Sequence, residues 1–211
     1  TWAAAIICPT QKIALQHFTS PPSWRRIASG GLEMQTPRIF SDVQLESGAN
    51  VTLSRAASRH LIRVLRLQPG EEVTVFDGSG GEHRARISET GRDRATVHLL
   101  AHEAVERESV LCLRLLHALP KGEKADWVIQ KATELGADEI QLLRTERTVV
   151  RLDQERAAKR LAHWRSVAIG ACEQCGRNRI PEIRGVRNLD DVLRALPPAD
   201  ISLLLHPVGT S

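Results

Sequence analysis

Four arginines stand at three- and four-residue spacing in the first half of the chain: Arg55, Arg59, Arg63 and Arg66. On a helix they fall within about 80° of one another. Ala57, Leu61, Val64 and Leu65 take the opposite side, His60 takes the flank, and no Asp or Glu interrupts the run. A solvated helix face ordinarily mixes signs. An unbroken guanidinium stripe suits phosphates, which arginine can hold through two parallel hydrogen bonds. The competing readings are a plain solvated face, or pairing with acids from another strand.

A second polar concentration, Glu173, Gln174, Arg177, Asn178 and Arg179, gathers where a long helical pattern runs out at Gly176. Lys121, Lys124 and Arg147 fall near the ends of other elements in the same half. Open parallel sheets bind ligands outside the carboxyl ends of their strands. These residues are therefore expected to face one cleft, with ordinary surface charge and helix capping as the alternative. The glycine-rich run Asp77-Gly78-Ser79-Gly80-Gly81 lacks the spacing of a phosphate loop and reads as a hairpin turn. Cys172 and Cys175 form a C-x-x-C pair, but no further Cys or His stands at ligand spacing, so no metal site is expected.

Two kinds of domain must position these residues. From Met34 the pattern gives short strands at Pro37–Phe40, Val51–Leu53 and Val73–Phe76, and two more around Ala85–Ile87 and Ala95–Leu99. One helix, capped by Ser54, runs through about Leu65. This is a small barrel-like β domain over 34–106. From 107 to 211 strands alternate with helices: Leu111–Leu119, a helix over Gly122–Leu135 stopped by Gly136, Ile140–Leu143, a long helix capped by Asp153, a short helix over Asn188–Leu196, and the apolar run Ile201–Leu205. In the long helix Leu161, Trp164, Ala168, Ala171 and Cys175 share a stripe. The alternation predicts an α/β domain with a mostly parallel sheet, α+β for the chain as a whole. Residues 1–33 show no sustained period and are expected to be a disordered or non-native extension, with an organelle-targeting segment as the alternative.

Composition bounds the partners. Of 211 residues 42% are hydrophobic and 26% charged, Tyr is absent, and the core must be aliphatic. No apolar run is long enough to span a bilayer. The net charge of +4 is mild, and residues 34–106 carry nine Lys/Arg against ten Asp/Glu. Any nucleic-acid surface must therefore come from local arrangement, not from a basic tail.

Several segments occur in a telling order: PRIF, HLIRVLRLQPGEEVTVFDGSG, KGEKADWVIQKATELGADEI, TERTVVRL, HWRSVAIGACEQCGRNRIPEI and LLLHP. Over Pro37–Pro207 the chain resembles the RsmE family, bacterial 16S ribosomal RNA uridine-N3 methyltransferases of the SPOUT (trefoil-knot) class. The resemblance implies a PUA-like RNA-binding barrel, a knotted S-adenosylmethionine-dependent domain, a homodimer, a cytoplasmic location without membrane, and 16S rRNA or the small ribosomal subunit as partner. It places Arg38 of PRIF, with Arg55, Arg59, Arg63, Arg66, Lys121, Lys124, Arg147 and Arg177, on the RNA. The first cofactor loop follows the strand ending in His206-Pro207, and the resemblance places these two residues at the cofactor. The family's GPEGG-like and LGPRILRTETA-like loops do not occur in the sequence, so the expectation is an incomplete SPOUT domain that binds cofactor poorly and is inactive by itself.

A uridine N3 keeps its proton near neutral pH and is a poor nucleophile until that proton leaves. On the resemblance, Arg147 and Arg177 are expected to position RNA or stabilise the anion, and Glu173 to accept the proton. Two other classes stay open: a non-catalytic RNA-binding module acting through the barrel, and a small-molecule α/β enzyme.

Overall fold

A computed structural model describes residues 3–8, 36–146 and 154–205. Strand β1 (Ala3–Cys8) belongs to the second of two sheets. The first sheet comprises β2 (Arg38–Phe40), β3 (Asn50–Thr52), β4 (Glu72–Phe76), β5 (Glu82–Thr90) and β6 (Ala95–Glu103), in the order β2-β4-β5-β6-β3. Only β2 and β4 run parallel. The period-2 pattern sends Val73, Val75, Ala85, Ile87, Ala95, Val97 and Leu99 inward, all essentially without solvent contact. Leu61 closes the same core from the helix.

That helix, α1 (Arg55–Arg59), is capped by Ser54, whose Oγ accepts from Ala57 N at 3.2 Å. It continues as a π-helical turn over His60–Val64. A π turn carries more residues per turn than an α-helix, so the face predicted at 100° per residue drifts. Val64, expected inward, is 65% exposed, and Arg66 takes a left-handed φ of 57°.

The second sheet has the order β10-β1-β7-β8-β9. Strands β7 (Cys112–Ala118), β8 (Glu139–Arg144) and β9 (Glu182–Asn188) are parallel. Strand β1 lies antiparallel between β7 and β10 (Ile201–Leu205). Helices α2 (Lys124–Glu134) and α3 (Gln154–Cys175) cover one face, packing Ile129, Trp164 and Ala168 onto Ile140 and Leu142. The short α4 (Leu189–Arg194) covers the other through Val192 on Leu116 and Leu143. Gly136 ends α2 at φ 90°, and Ala137 N then reaches Ala132 O at 2.9 Å.

Three expectations change here. Within 1–33, taken for an extension without structure, Ala3–Cys8 is a strand. Its small, apolar AAAIIC text lacks polar alternation because it is an inner strand, paired on both sides. Cys175 leaves the buried stripe of α3 because it is the last residue of the helix, and it is exposed. All five residues of β10 are exposed despite their apolar text. The predicted Asp153 cap lies outside the described residues.

Candidate nucleic-acid interface

Three of the four stripe arginines converge on one acid. Asp93 sits at the tip of the β5–β6 hairpin, where Gly91 N meets Arg94 O at 2.7 Å. Its Oδ2 accepts from Arg55 Nη2 at 2.9 Å, its Oδ1 accepts from Arg63 Nη2 at 2.6 Å, and Arg59 Nε stands 4.0 Å from Oδ1. The Arg55 hydrogen bond, opposed by partial burial and helped by the charges of Arg63, Arg55 and Arg59, holds the Asp93 carboxyl below its usual range. Pairing with an acid from another strand is therefore real. One carboxylate cannot neutralise three guanidiniums, however, and those side chains remain 76%, 52% and 50% exposed. Arg92 and Arg94 flank Asp93 in sequence, and Arg94 also reaches Thr52 Oγ1 at 3.4 Å. Arg66 leaves the group: the π turn ends before it, and no acid among the described residues pairs with it.

The polar cluster at the end of α3 lies elsewhere and does something else. In a strand–helix–strand unit the helix runs antiparallel to its strands, so its C-terminus sits at their starting edge. Glu173, Arg177 and Asn178 accordingly stand just before β9, at the amino edge of the parallel strands. There they meet the barrel. Arg38 Nη2 donates to Asn178 Oδ1 at 2.6 Å and to Arg177 O at 3.2 Å. Asn178 Nδ2 donates to Val105 O at 2.7 Å. Phe40 N donates to Glu173 Oε1 at 3.0 Å. Glu82, on the barrel, binds both Arg38 and Arg107, the latter at 2.6 and 3.0 Å. Burial pushes the Glu82 carboxyl up, but the hydrogen bonds and charges of Arg107 and Arg38 outweigh it and bring it to about 2. Arg107 also donates to Gly176 O at 3.3 Å, beneath a glycine held at φ 87°.

This seam takes two predicted RNA contacts out of solvent. Arg177 is only 6% exposed; it bonds Glu108 Oε2 through Nε and Nη2 and the carbonyls of Thr133 and Ala137 through Nη1. Burial disfavours its charge, yet Glu108 outweighs that and raises its pKa. Arg38 is 14% exposed and lies with Cζ 4.9 Å over the Phe76 ring. Neither guanidinium is placed to grip a phosphate. Glu173 has a pKa raised by burial, against the opposing Phe40 N–H, His60 and Arg38. Its engaged carboxylate faces the barrel, not the carboxyl edge expected for a proton acceptor.

At that carboxyl edge stand other cations. Lys121 and Lys124, at the turn from β7 into α2, are exposed, and Arg144 at the end of β8 donates through Nε to Asn188 Oδ1 at 2.7 Å. Trp127, one helical turn after Lys124, is 63% exposed. Arg147, His206 and Pro207 lie outside the described residues. The cleft predicted to unite Lys121, Arg147 and Arg177 thus separates, with Arg177 at the opposite edge of the sheet, roughly 20 Å away for a seven-residue strand.

Two cavities stand out. One, of about 210 Å³, lies under α4 among Arg114, Glu139, Gln141, Arg184 and Arg187. The other, of about 270 Å³, lies at the seam among Arg107, Glu108, Glu134, Cys175 and Arg177. Both mix ionic and apolar lining, with Val192, Ala195, Leu196 and Pro197 completing the first. Cys172 is buried, donates to Arg179 O at 3.4 Å, and burial pushes its thiol up to about 12. Sequence reasoning missed Asp93, Glu82 and Glu108. The only text signal for Asp93 was a lone acid between Arg92 and Arg94 in a hairpin turn.

The family model of the RNA methyltransferase domain matches residues 107–211, and that of the RNA methyltransferase PUA domain matches 53–100. Ribosomal RNA small subunit methyltransferase E of Bacillus subtilis is 27% identical over 157 residues, covering 74% of this chain and 61% of that protein. Its Synechocystis counterpart is 38% identical over 135 residues, covering 64% and 43%. The chain thus spans about three fifths, or less, of these relatives. Among solved structures, Lpg2936 from Legionella pneumophila, in complex with bound SAM, is 39% identical with a TM-score of 0.73, covering 77% of this chain and 67% of that one. Ribosomal RNA small subunit methyltransferase E from Neisseria gonorrhoeae, bound to S-adenosyl methionine, is 38% identical with a TM-score of 0.72, covering 77% and 66%. A PUA-like barrel fixed to a strand-and-helix domain, matched along both parts, places this chain in the ribosomal RNA small subunit methyltransferase E family, of the SPOUT class.

Proposed function

We propose that the protein to which this chain belongs methylates N3 of a uridine in 16S ribosomal RNA, with S-adenosylmethionine as donor, in the cytoplasm. The observation that carries this reading is the exposed arginine group of α1 and its π turn, Arg55, Arg59 and Arg63, on a barrel joined to the methyltransferase domain through Arg38–Asn178, Phe40–Glu173 and Arg107–Glu82. The barrel supplies the phosphate grip and the seam fixes its direction. Lys121, Lys124 and Arg144 then line the edge where a base would arrive, and Arg147 follows Arg144 in sequence. Loss of the N3 proton leaves an anion, and cations at that edge favour it. Trp127 offers a flat apolar face beside Lys124 for stacking an unpaired base.

The donor does not fit the residues described. An adenosyl group needs a largely apolar slot, and both cavities above carry four charged side chains and lie away from the carboxyl edge. The sequence also contains neither a GPEGG-like nor an LGPRILRTETA-like loop. We therefore assign RNA binding, not turnover, to the 211-residue chain taken by itself, and methyl transfer to a chain that adds both loops. The dimer expected of the family would cover apolar area such as Leu203, Leu204 and Leu205 on β10, each 50% to 66% exposed.

The test pairs two chains. Calorimetry with S-adenosylmethionine should give heat only for the loop-completed chain. That chain should also methylate 16S rRNA lacking the modification, with N3-methyluridine identified by mass spectrometry. Methylation at another base atom would refute the uridine assignment. Absence of RNA binding by either chain would refute the whole reading.

A further inference from the structure

We propose that Asp93 is a stand-in for phosphate: in the free protein it occupies the place among Arg55, Arg59 and Arg63 that a phosphodiester of the RNA takes on binding. The proposal rests on the stripe being the RNA contact, and it adds how that contact is kept closed to other anions.

The geometry is that of an anion claw. A carboxylate and a phosphodiester each carry one negative charge and present two oxygens. At Asp93 the two oxygens are taken from different sides, Oδ2 by Arg55 and Oδ1 by Arg63, with Arg59 4.0 Å away. The three arginines come from successive turns of one short helical segment, while the acid comes from a hairpin 30 or more positions later. Nothing in the core requires this acid. Asp93 lies two residues before the inward-facing Ala95, in a tight turn closed by the Gly91–Arg94 backbone bond. Each arginine keeps at least half of its side chain in solvent, so it can follow an incoming ligand.

A tethered carboxylate acts at high effective concentration. A single mobile anion therefore competes poorly with Asp93, whereas a chain of phosphates held at several points can displace it. The device lowers affinity for RNA and raises discrimination against small anions, a form of selectivity by internal competition.

The test is a fluorescence-anisotropy titration of a single-stranded RNA oligonucleotide with the 211-residue chain over a series of salt concentrations. Four proteins are compared: wild type, Asp93→Asn, Arg59→Ala with Arg63→Ala, and the triple variant. Asp93→Asn is expected to tighten binding roughly threefold to tenfold near 0.1 M salt and to steepen the salt slope by up to about one phosphate equivalent. In the triple variant that gain should vanish. Asp190→Asn, an exposed acid on α4, controls for net charge and should change affinity less than about twofold. Unchanged or weaker binding by Asp93→Asn, or an equal gain from Asp190→Asn, overturns the proposal. If instead the double arginine variant binds as wild type does, the RNA reading of the stripe itself fails. Asp93→Ser, run alongside, keeps the comparison decisive if the Asn variant misfolds.

Discussion

The guanidinium of Arg38 donates to Oδ1 of Asn178 at 2.6 Å, joining the barrel's first strand to the loop after the longest helix. Asn178 is fully buried, and its other end donates to Val105 O in the linker. One amide thus ties three segments and, with Phe40–Glu173 and Arg107–Glu82, helps set the relative orientation of the two domains. An RNA gripped by the barrel can meet a fixed reaction edge only if that orientation holds, since small misplacements of reacting groups are costly in rate.

Asn178→Ala should therefore loosen the seam before it damages either core. Two buried hydrogen bonds are lost and the Arg38 side chain keeps one fewer partner, for about 2–4 kcal/mol. The expected outcome in calorimetry is that a single unfolding transition broadens or splits into two. A single transition at unchanged temperature would show that the seam's other contacts, Phe40–Glu173 and Arg107–Glu82, couple the domains without Asn178.

Acid should open the same seam, with a defined sign. The Glu82 carboxyl titrates near 2 when folded, against an ordinary 4.5, so the stability it supplies is complete above 4.5 and is lost as pH falls towards 2. Glu82→Gln should flatten this part of the pH–stability profile and lower stability at neutral pH by a few kcal/mol, since two arginines lose their acid. Stability measured by urea unfolding from pH 6 to pH 2 checks both limbs.

The arginine stripe makes a different prediction. Arg59→Ala with Arg63→Ala should weaken RNA binding and reduce the salt slope by roughly one to two phosphate contacts, while leaving the melting temperature nearly unchanged. Both side chains are half exposed and stand on one acid, so folding depends on them little. Arg177→Ala should behave in the opposite way: a large loss of stability from a Glu108 left without its opposite charge and from the lost bonds to the Thr133 and Ala137 carbonyls, with no loss of RNA affinity beyond what unfolding explains. Parallel melting and anisotropy measurements separate the two.

The contrast between Arg59 and Arg177 shows what the sequence could carry. The stripe was legible because it is local: residues four apart on a helix share a face whatever surrounds them. The barrel's alternation and the helix stops at Ser54 and Gly136 were legible for the same reason. Arg66 was misplaced because a π turn shifts phase without marking itself in the residues. Strand β9 was hidden, since Glu182, Arg184, Gly185 and Arg187 hide any alternation. The role of Arg177 depended on Glu108, 69 positions earlier, and on which edge of the sheet α3 ends at. That edge follows from helix–strand direction, so it could have been derived: a helix that precedes a parallel strand must deliver its C-terminus to the strand's start. Asp93 had no such rule, because nothing local says which acid a hairpin tip will bring to an arginine stripe.

Glu173 offers the sharpest separation of a structural role from a chemical one. Its Oε1 accepts the Phe40 amide at 3.0 Å, and burial raises its pKa. A glutamine keeps an acceptor oxygen of the same reach, whereas alanine leaves a buried N–H unpartnered. Glu173→Gln should stay within about 1 kcal/mol of wild type, and Glu173→Ala should lose about 1–3 kcal/mol. In a loop-completed chain Glu173→Gln should also retain its rate of methyl transfer across neutral pH, because the proton acceptor, if a side chain serves, belongs at the opposite edge near Lys121 and Arg144. Single-turnover rates from pH 6 to pH 9 check this. A loss of about tenfold or more in Glu173→Gln, with stability intact, would return the carboxylate to the chemistry and require the seam to open during the reaction.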